Sequence, residues 1–214
     1  MVRWQGPTVA ARGFGETAMA RLSLLCAVIG AALMGLLFNP VAQVKAAEDL
    51  GPSVGMRAPD IGTPNDQNGT PRSLQSLMGA NGLVLFFFRS ADWCPFCQAQ
   101  MMDLNTAVAA LERRGYRMAG ISYDRPQTLK TFIDRRQIGY TLLSDPRSTI
   151  IDRYKLRDPQ YPPGDFAYGV PRPIIFILDK AGTIKAKLYE ETYTKRPPAT
   201  LVISTIDKIA AQGS

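Results

Sequence analysis

Leu83-Val84-Leu85-Phe86-Phe87-Phe88 is an unbroken apolar run, and it constrains the fold more than any other stretch. A strand with one wet face alternates apolar and polar residues, so a continuous run fits a central strand covered on both faces. Arg89-Ser90-Ala91-Asp92 ends it. Trp93-Cys94-Pro95-Phe96-Cys97 then opens a segment carrying Met101, Leu104, Val108 and Leu111 at spacings of three and four, with Gly115 as its stop. That periodicity predicts a core-facing helix of about five turns.

A Cys-x-x-Cys pair at a strand-to-helix junction places two thiols at a helix N-terminus. Unpaired backbone N–H groups and the positive end of the dipole stabilise a thiolate there. The thiolate is the reactive form of cysteine, so Cys94 is the candidate nucleophile. Cys97, one turn on, is placed to attack a mixed disulfide formed at Cys94 and release the partner.

The rest of the chain reads as alternating strands and helices. Ser73 caps a short helix through Met78. Arg117–Tyr123 is a second buried strand, and Pro126–Gln137 is a helix with proline at its first position. Tyr140–Leu143 is a short strand and Ser148–Leu156 a short helix. Residues 157–169 form a Pro/Gly/aromatic loop. Pro173–Leu178 and Thr183–Tyr189 are strands joined by the turn Asp179-Lys180-Ala181-Gly182, and Pro198–Ala211 closes the chain as a helix. A β-α-β start followed by a hairpin predicts an α/β protein, a mixed central sheet sandwiched between helix layers.

Residues 1–46 read as a leader. Leu22–Phe38 is nearly all apolar after Arg21, and Val44-Lys45-Ala46 fits a small-residue cleavage rule. The alternative is an uncleaved membrane anchor through residues 22–38, which lie at the lower length limit for a span. Met19-Ala20-Arg21 is a tidier leader start than Met1, so residues 1–18 are expected to fall outside the working precursor. Residues 47–53 are expected to be a linker and 54–214 the domain. On this reading the domain is periplasmic or otherwise extracytoplasmic, and its cysteine pair works in an oxidising compartment.

Composition narrows the chemistry. The chain has 214 residues, a net charge of +7 and no histidine. Arg3, Arg12, Arg21 and Lys45 against Glu16 in the leader account for part of that charge, leaving 21 basic and 17 acidic residues. No basic run marks a nucleic-acid footprint. Imidazole bases and His-dependent zinc or copper sites are excluded. Of the three cysteines, Cys26 lies in the apolar leader, and one Cys pair supplies too few thiolates for a structural zinc. No metal or organic cofactor is expected.

The segments GMRAPD, LVLFFFRSADWCPFC and VPRPIIFILDKAG together resemble the thioredoxin superfamily. More narrowly they resemble its redoxin branch, which includes AhpC/TSA-type peroxiredoxin-like proteins and exported thiol–disulfide oxidoreductases. The resemblance covers residues 54–212 and implies a thioredoxin-like three-layer sandwich. It also implies a cis-proline opposite the dithiol, whose neighbouring backbone pairs with substrate. Pro173 matches that position, with Pro171 as the competitor. Arg172 would then stand beside the dithiol, where a cation favours the thiolate, and Trp93 would shield one side. Phe96, in a protruding loop, would meet a partner's apolar segment.

The peroxidase pattern of the family, Pro-x-x-x-Thr-x-x-Cys with a remote arginine, is out of register here. Its positions hold Phe87, Ala91 and Pro173, although Ser90 and Arg172 are each one residue away. The places where related proteins keep an acid near the second cysteine hold Phe88 and Gln100. The resemblance thus implies an exported thiol–disulfide oxidoreductase with Cys94 attacking and Cys97 resolving. Its partners would be protein thiols and disulfides and a redox partner protein. The alternatives are a peroxiredoxin-like thiol peroxidase and, from another class, a non-catalytic binding module.

Overall fold

The unbroken apolar run forms β1 (Gly82–Phe87), and all six of its residues are buried. The computed structural model describes residues 49–212; the expected leader, its apolar run and Cys26 lie outside the described residues. β2 (Tyr116–Ser122) and β3 (Thr141–Ser144) continue the sheet in parallel on one side of β1. β4 (Ile174–Asp179) and β5 (Ile184–Leu188) continue it antiparallel on the other, giving the order β3-β2-β1-β4-β5.

Successive side chains of a strand point to opposite faces, and β1 feeds two cores in that way. Val84, Phe86 and Phe88 pack in one core with Met101, Leu104, Phe132 and Val202. Leu83, Leu85 and Phe87 pack in the other with Leu77, Ile150, Ile151 and Phe176. Helices α2 (Pro95–Asn105), α3 (Val108–Arg113), α4 (Pro126–Arg136) and α6 (Ala199–Gln212) contribute to the first core. The short α1 (Leu74–Leu77) and α5 (Thr149–Arg153) contribute to the second. This is the three-layer α/β/α sandwich with a mixed sheet that the sequence predicts. Leu50, in the stretch expected as linker, is buried in the second core, while Lys187 holds the Asp49 carboxylate and the Leu50 carbonyl.

Most elements start where their sequence signals place them. Ser73 caps α1 by accepting from the Ser76 amide at 3.2 Å, Pro126 opens α4, and residues 179–182 turn the β4–β5 hairpin. Two expectations fail. The single five-turn helix after the cysteines is broken at Thr106–Ala107. The Thr106 hydroxyl and amide both donate to the Asp103 carbonyl, and the Ala107 amide donates to Leu104, tightening the ladder to a three-residue reach. The Arg172–Pro173 bond is trans, since no cis bond occurs among the described residues. Trans is the preferred state of an X-Pro bond. Here the chain runs extended into β4, the Arg172 amide donating to the Leu156 carbonyl at 2.7 Å, with no reversal that a cis bond would serve.

Candidate active site

The cysteine loop sits at the C-terminal end of β1, and sheet register decides what surrounds it. Phe87 pairs with Ile174 on β4 and Ile121 on β2. Pro173, preceding β4, and Asp124, following β2, are thereby carried to the same end of the sheet. Cys94 is the N-cap of α2 and Pro95 its first residue. Cys94 and Cys97 form a disulfide, with Cα atoms 5.3 Å apart, and the Cys97 amide donates to Cys94 Sγ at 3.3 Å. The dithiol at a helix start is therefore present as expected. Cys94 is less open than its place suggests: it is 2% exposed and Cys97 is fully buried.

Asp124 shapes the approach to Cys94. Its Oδ1 accepts from the Ser90 hydroxyl at 2.8 Å, and its Oδ2 accepts from the Ala91 amide at 2.7 Å and the Ser122 hydroxyl at 2.8 Å. Burial pushes the carboxyl above the usual carboxylate range, and these three donors pull it back. Ser90 in turn accepts from the amides of Asp92 and Trp93, so its hydroxyl fixes the turn that presents Cys94. Ser90 thus donates its hydroxyl proton to Asp124.

Aromatic rings and two arginines cover the other side. Trp93 is half-buried, donates from Nε1 to the Tyr123 hydroxyl at 2.8 Å and meets Phe166 edge to face at 5.3 Å. Phe96 is exposed and packs edge-on against Tyr193. Arg89 is buried; its guanidinium lies 4.3 Å from the Tyr193 ring centre, 4.8 Å from Tyr161 and 5.1 Å from Trp93, and donates to the Tyr161 hydroxyl. Arg196 Nη2 lies 3.6 Å from Cys97 Sγ. Its segment is held by the Ala199 amide, at the start of α6, which donates to the Asp103 carboxylate on α2 at 2.7 Å.

Trp93 and Pro173 thus stand at the expected end of the sheet, Pro173 in trans. Arg172 is half-buried beside Pro173 and anchored through its backbone. The Arg196 guanidinium reaches a cysteine sulfur, and sequence reasoning singled out neither it, Arg89 nor Asp124. Arg89 directly follows the apolar run, four residues before Trp93, and Asp124 lies two residues after β2, a strand parallel to β1, which are signals that local reading could have used. Arg196 lies 99 residues from Cys97 and offers no such signal.

The AhpC/TSA family is matched over residues 54–187. The chain belongs to the AhpC/TSA family. Among curated relatives it is 31% identical over 172 residues to the chloroplastic peroxiredoxin Q of Arabidopsis thaliana, covering 80% of this chain and 70% of that protein. It is 29% identical over 128 residues to peroxiredoxin Bcp of Escherichia coli, covering 60% and 80% respectively. Among solved structures, peroxidoxin BcpB from Mycobacterium tuberculosis superposes with a TM-score of 0.62 at 22% identity, over 74% of this chain and 96% of that one. The peroxiredoxin-like protein from Aquifex aeolicus gives 0.62 at 23% identity, over 75% and 90%. These structural likenesses show the thioredoxin-like fold. This AhpC/TSA member is an oxidoreductase of the thiol-dependent kind, and its one disulfide among the described residues is Cys94–Cys97.

Proposed function

We propose that the chain is a thiol peroxidase in which Cys94 reduces a small hydroperoxide and Cys97 closes the disulfide. The observation that carries this reading is the seat of the disulfide. It lies at a helix N-terminus with Cys94 2% exposed, in a family whose relatives carry peroxiredoxin names. A molecule of a few atoms reaches such a sulfur. A folded protein disulfide needs the chain that covers Cys94 to move first. Sequence reasoning put protein disulfide exchange first and peroxide reduction second, and the relatives favour the reverse order.

The chemistry runs in two steps. The Cys94 thiolate attacks one peroxide oxygen; an S–O bond forms, the O–O bond breaks, and the other oxygen leaves as an alcohol or water after taking a proton. The Cys97 thiolate then attacks the sulfur of the Cys94 sulfenic acid. An S–S bond forms and hydroxide leaves, taking a proton as water. Two electrons pass from the dithiol to the peroxide, and an external dithiol returns them by exchange. The amides of the first turn of α2 supply positive potential at Cys94.

Disulfide exchange with protein substrates is kept as a second reading by one observation. The peroxidase positions hold Phe87, Ala91 and Pro173, whose side chains donate no hydrogen bond, and the Ser90 hydroxyl is engaged by Asp124. Stopped-flow fluorescence of the reduced protein, mixed in turn with hydrogen peroxide, an organic hydroperoxide and a model protein disulfide, separates the two. We expect rapid oxidation by at least one peroxide, abolished by Cys94→Ser, with Cys97→Ser stopping at the sulfenic acid. Peroxide oxidation no faster than that of an ordinary accessible thiolate, beside rapid exchange with the protein disulfide, would overturn the peroxidase reading.

Export is proposed on the residues of 1–46 alone. N-terminal sequencing of the mature protein from fractionated cells tests it; a chain starting near Ala47 outside the cytoplasm is expected, and one retaining its leader in the cytoplasm overturns it.

A further inference from the structure

The Arg196 guanidinium stands against the disulfide and that of Arg89 is near enough to repel it, and neither forms an ion pair with a carboxylate among the described residues. Arg89 is 3% exposed, and the Nε atoms of Arg89 and Arg196 are both buried without a hydrogen-bond partner. Aromatic faces of Trp93, Tyr161 and Tyr193 cushion Arg89. The Arg196 Nη2 is directed at Cys97 Sγ, 3.6 Å away. Burying cations is costly unless an anion answers them. A disulfide offers no such anion, whereas a reduced Cys97 offers one at the contact already made.

Among the described residues the second cysteine also lacks a proton acceptor. Phe88 shares a core with Cys97 and Gln100 is buried three residues after it, and neither can ionise. Charged and titratable groups around the site have other engagements or belong to the cation cluster. Asp103 on α2 accepts from the Ala199 amide, and Asp124 has both oxygens filled by Ser90, Ala91 and Ser122. Asp92 is exposed in the turn. Tyr123 holds the Trp93 indole, Tyr161 accepts from Arg89, and Tyr193 faces Arg89.

We propose that Arg196, backed by Arg89, is a catalytic residue that ionises Cys97, so that the second cysteine reacts as a thiolate without a proton acceptor. The term "second" rests on the peroxidase reading; the ionisation does not. Once Cys94 has become a neutral sulfenic acid, Arg196 holds the negative charge on Cys97 until it forms the S–S bond and hydroxide departs as water. Burial first, and repulsion from Arg89 second, push the Arg196 guanidinium down to about 10. It remains a cation at neutral pH, and one that gains from an adjacent thiolate. Reduction places that thiolate beside it, so the cluster favours the dithiol over the disulfide.

The test uses the full-length Cys94→Ser protein, in which Cys97 is the only thiol of the described domain. Its thiolate absorbance near 240 nm is followed against pH, with Cys94→Ser/Cys97→Ser as the blank. We expect Cys97 to ionise at least one pH unit below an ordinary cysteine, about 8.5. Adding Arg196→Met should lower the thiolate fraction at pH 7 about tenfold, and Arg196→Lys should restore most of it. With both cysteines present, Arg196→Met should shift the equilibrium with glutathione toward the disulfide by about tenfold, or ~30 mV for a two-electron couple. Cys97 ionising at or above the ordinary value with Arg196 intact overturns the proposal, and this arm needs no arginine variant to fold. So does an Arg196→Met protein that folds and keeps both the titration and the equilibrium. A slow peroxide reaction with a low Cys97 ionisation would instead defeat the peroxidase reading and leave Arg196 in this role.

Discussion

The turn that presents Cys94 is bordered by two charged regions built on opposite plans. On one side a buried carboxylate, Asp124, is met by three neutral donors, with both of its oxygens engaged. On the other, Arg89 lies among rings and Arg196 against Cys97, each with a buried Nε unpaired. A charge fully answered by fixed donors holds geometry, since any movement breaks short hydrogen bonds. A charge left unanswered responds when charge appears nearby. The acid side is therefore the clamp of the loop and the cation side its electrostatic partner.

Replacing Asp124 should give the largest stability change. Asp124→Ala leaves the Ala91 amide and two serine hydroxyls facing a void, a loss of roughly 2–4 kcal/mol. Asp124→Asn should cost much less, because the hydroxyls can rotate to answer an amide. Arg196→Met, by contrast, should change stability by less than about 0.5 kcal/mol, because it removes a partly buried, repelled charge and keeps an apolar stem. Chemical denaturation of the three variants checks this. A greater loss for Arg196→Met than for Asp124→Ala would break the division into clamp and electrostatic partner.

Acidity separates the sides further. Burial raises the Asp124 carboxyl above its unfolded value, so the folded state binds a proton more readily than the unfolded chain. The stability this group contributes is fully present below about pH 3.8 and is lost as pH rises through the folded value. Asp145 shifts in the same direction, again chiefly by burial. Asp124→Asn should therefore gain on the parent protein as pH rises above 4, whereas Arg196→Met should run parallel to it. Denaturation midpoints between pH 4 and 7 measure the slopes. A parent–Asn difference that does not change with pH would show that the Asp124 shift is not expressed in stability.

What was legible in the sequence is what short-range patterns determine. The six-residue apolar run Leu83–Phe88 required cover on both faces, Pro126 marked a helix start, and the turn over residues 179–182 marked a hairpin. Cys94 and Cys97 were readable because their spacing and their place after a strand coincide. The break at Thr106 was missed because the apolar spacing runs straight across it, while the hydroxyl that tightens the turn is a single residue. The trans bond before Pro173 was missed because the expectation came from resemblance and not from the local chain, which is extended. Arg196 could not be read at all. It is brought to Cys97 by the docking of α6 on α2, a contact between segments that carry no mutual signal.

Trp93 touches both sides, and the smallest expected effect tests whether they are separable. Its indole N–H donates to Tyr123, beside Asp124, while its ring faces Arg89 at 5.1 Å. Trp93→Phe removes the donor and keeps an aromatic face. One hydrogen bond is lost between partly buried groups, a cost of about 1 kcal/mol. Burial already raises the Tyr123 phenol, and the indole donor is the larger of the two influences that lower it, the Arg89 charge being the other, so the phenol should move further up in the variant. On the cation side little changes, because Tyr161 and Tyr193 still flank Arg89. The glutathione equilibrium of the Cys94–Cys97 disulfide should therefore stay within about twofold, which is ~10 mV for two electrons. Tyrosine absorbance against pH, beside the redox equilibrium, reads both sides in one protein. A redox shift as large as that of Arg196→Met would mean that Trp93 couples the clamp to the arginines, and that the two regions act as one.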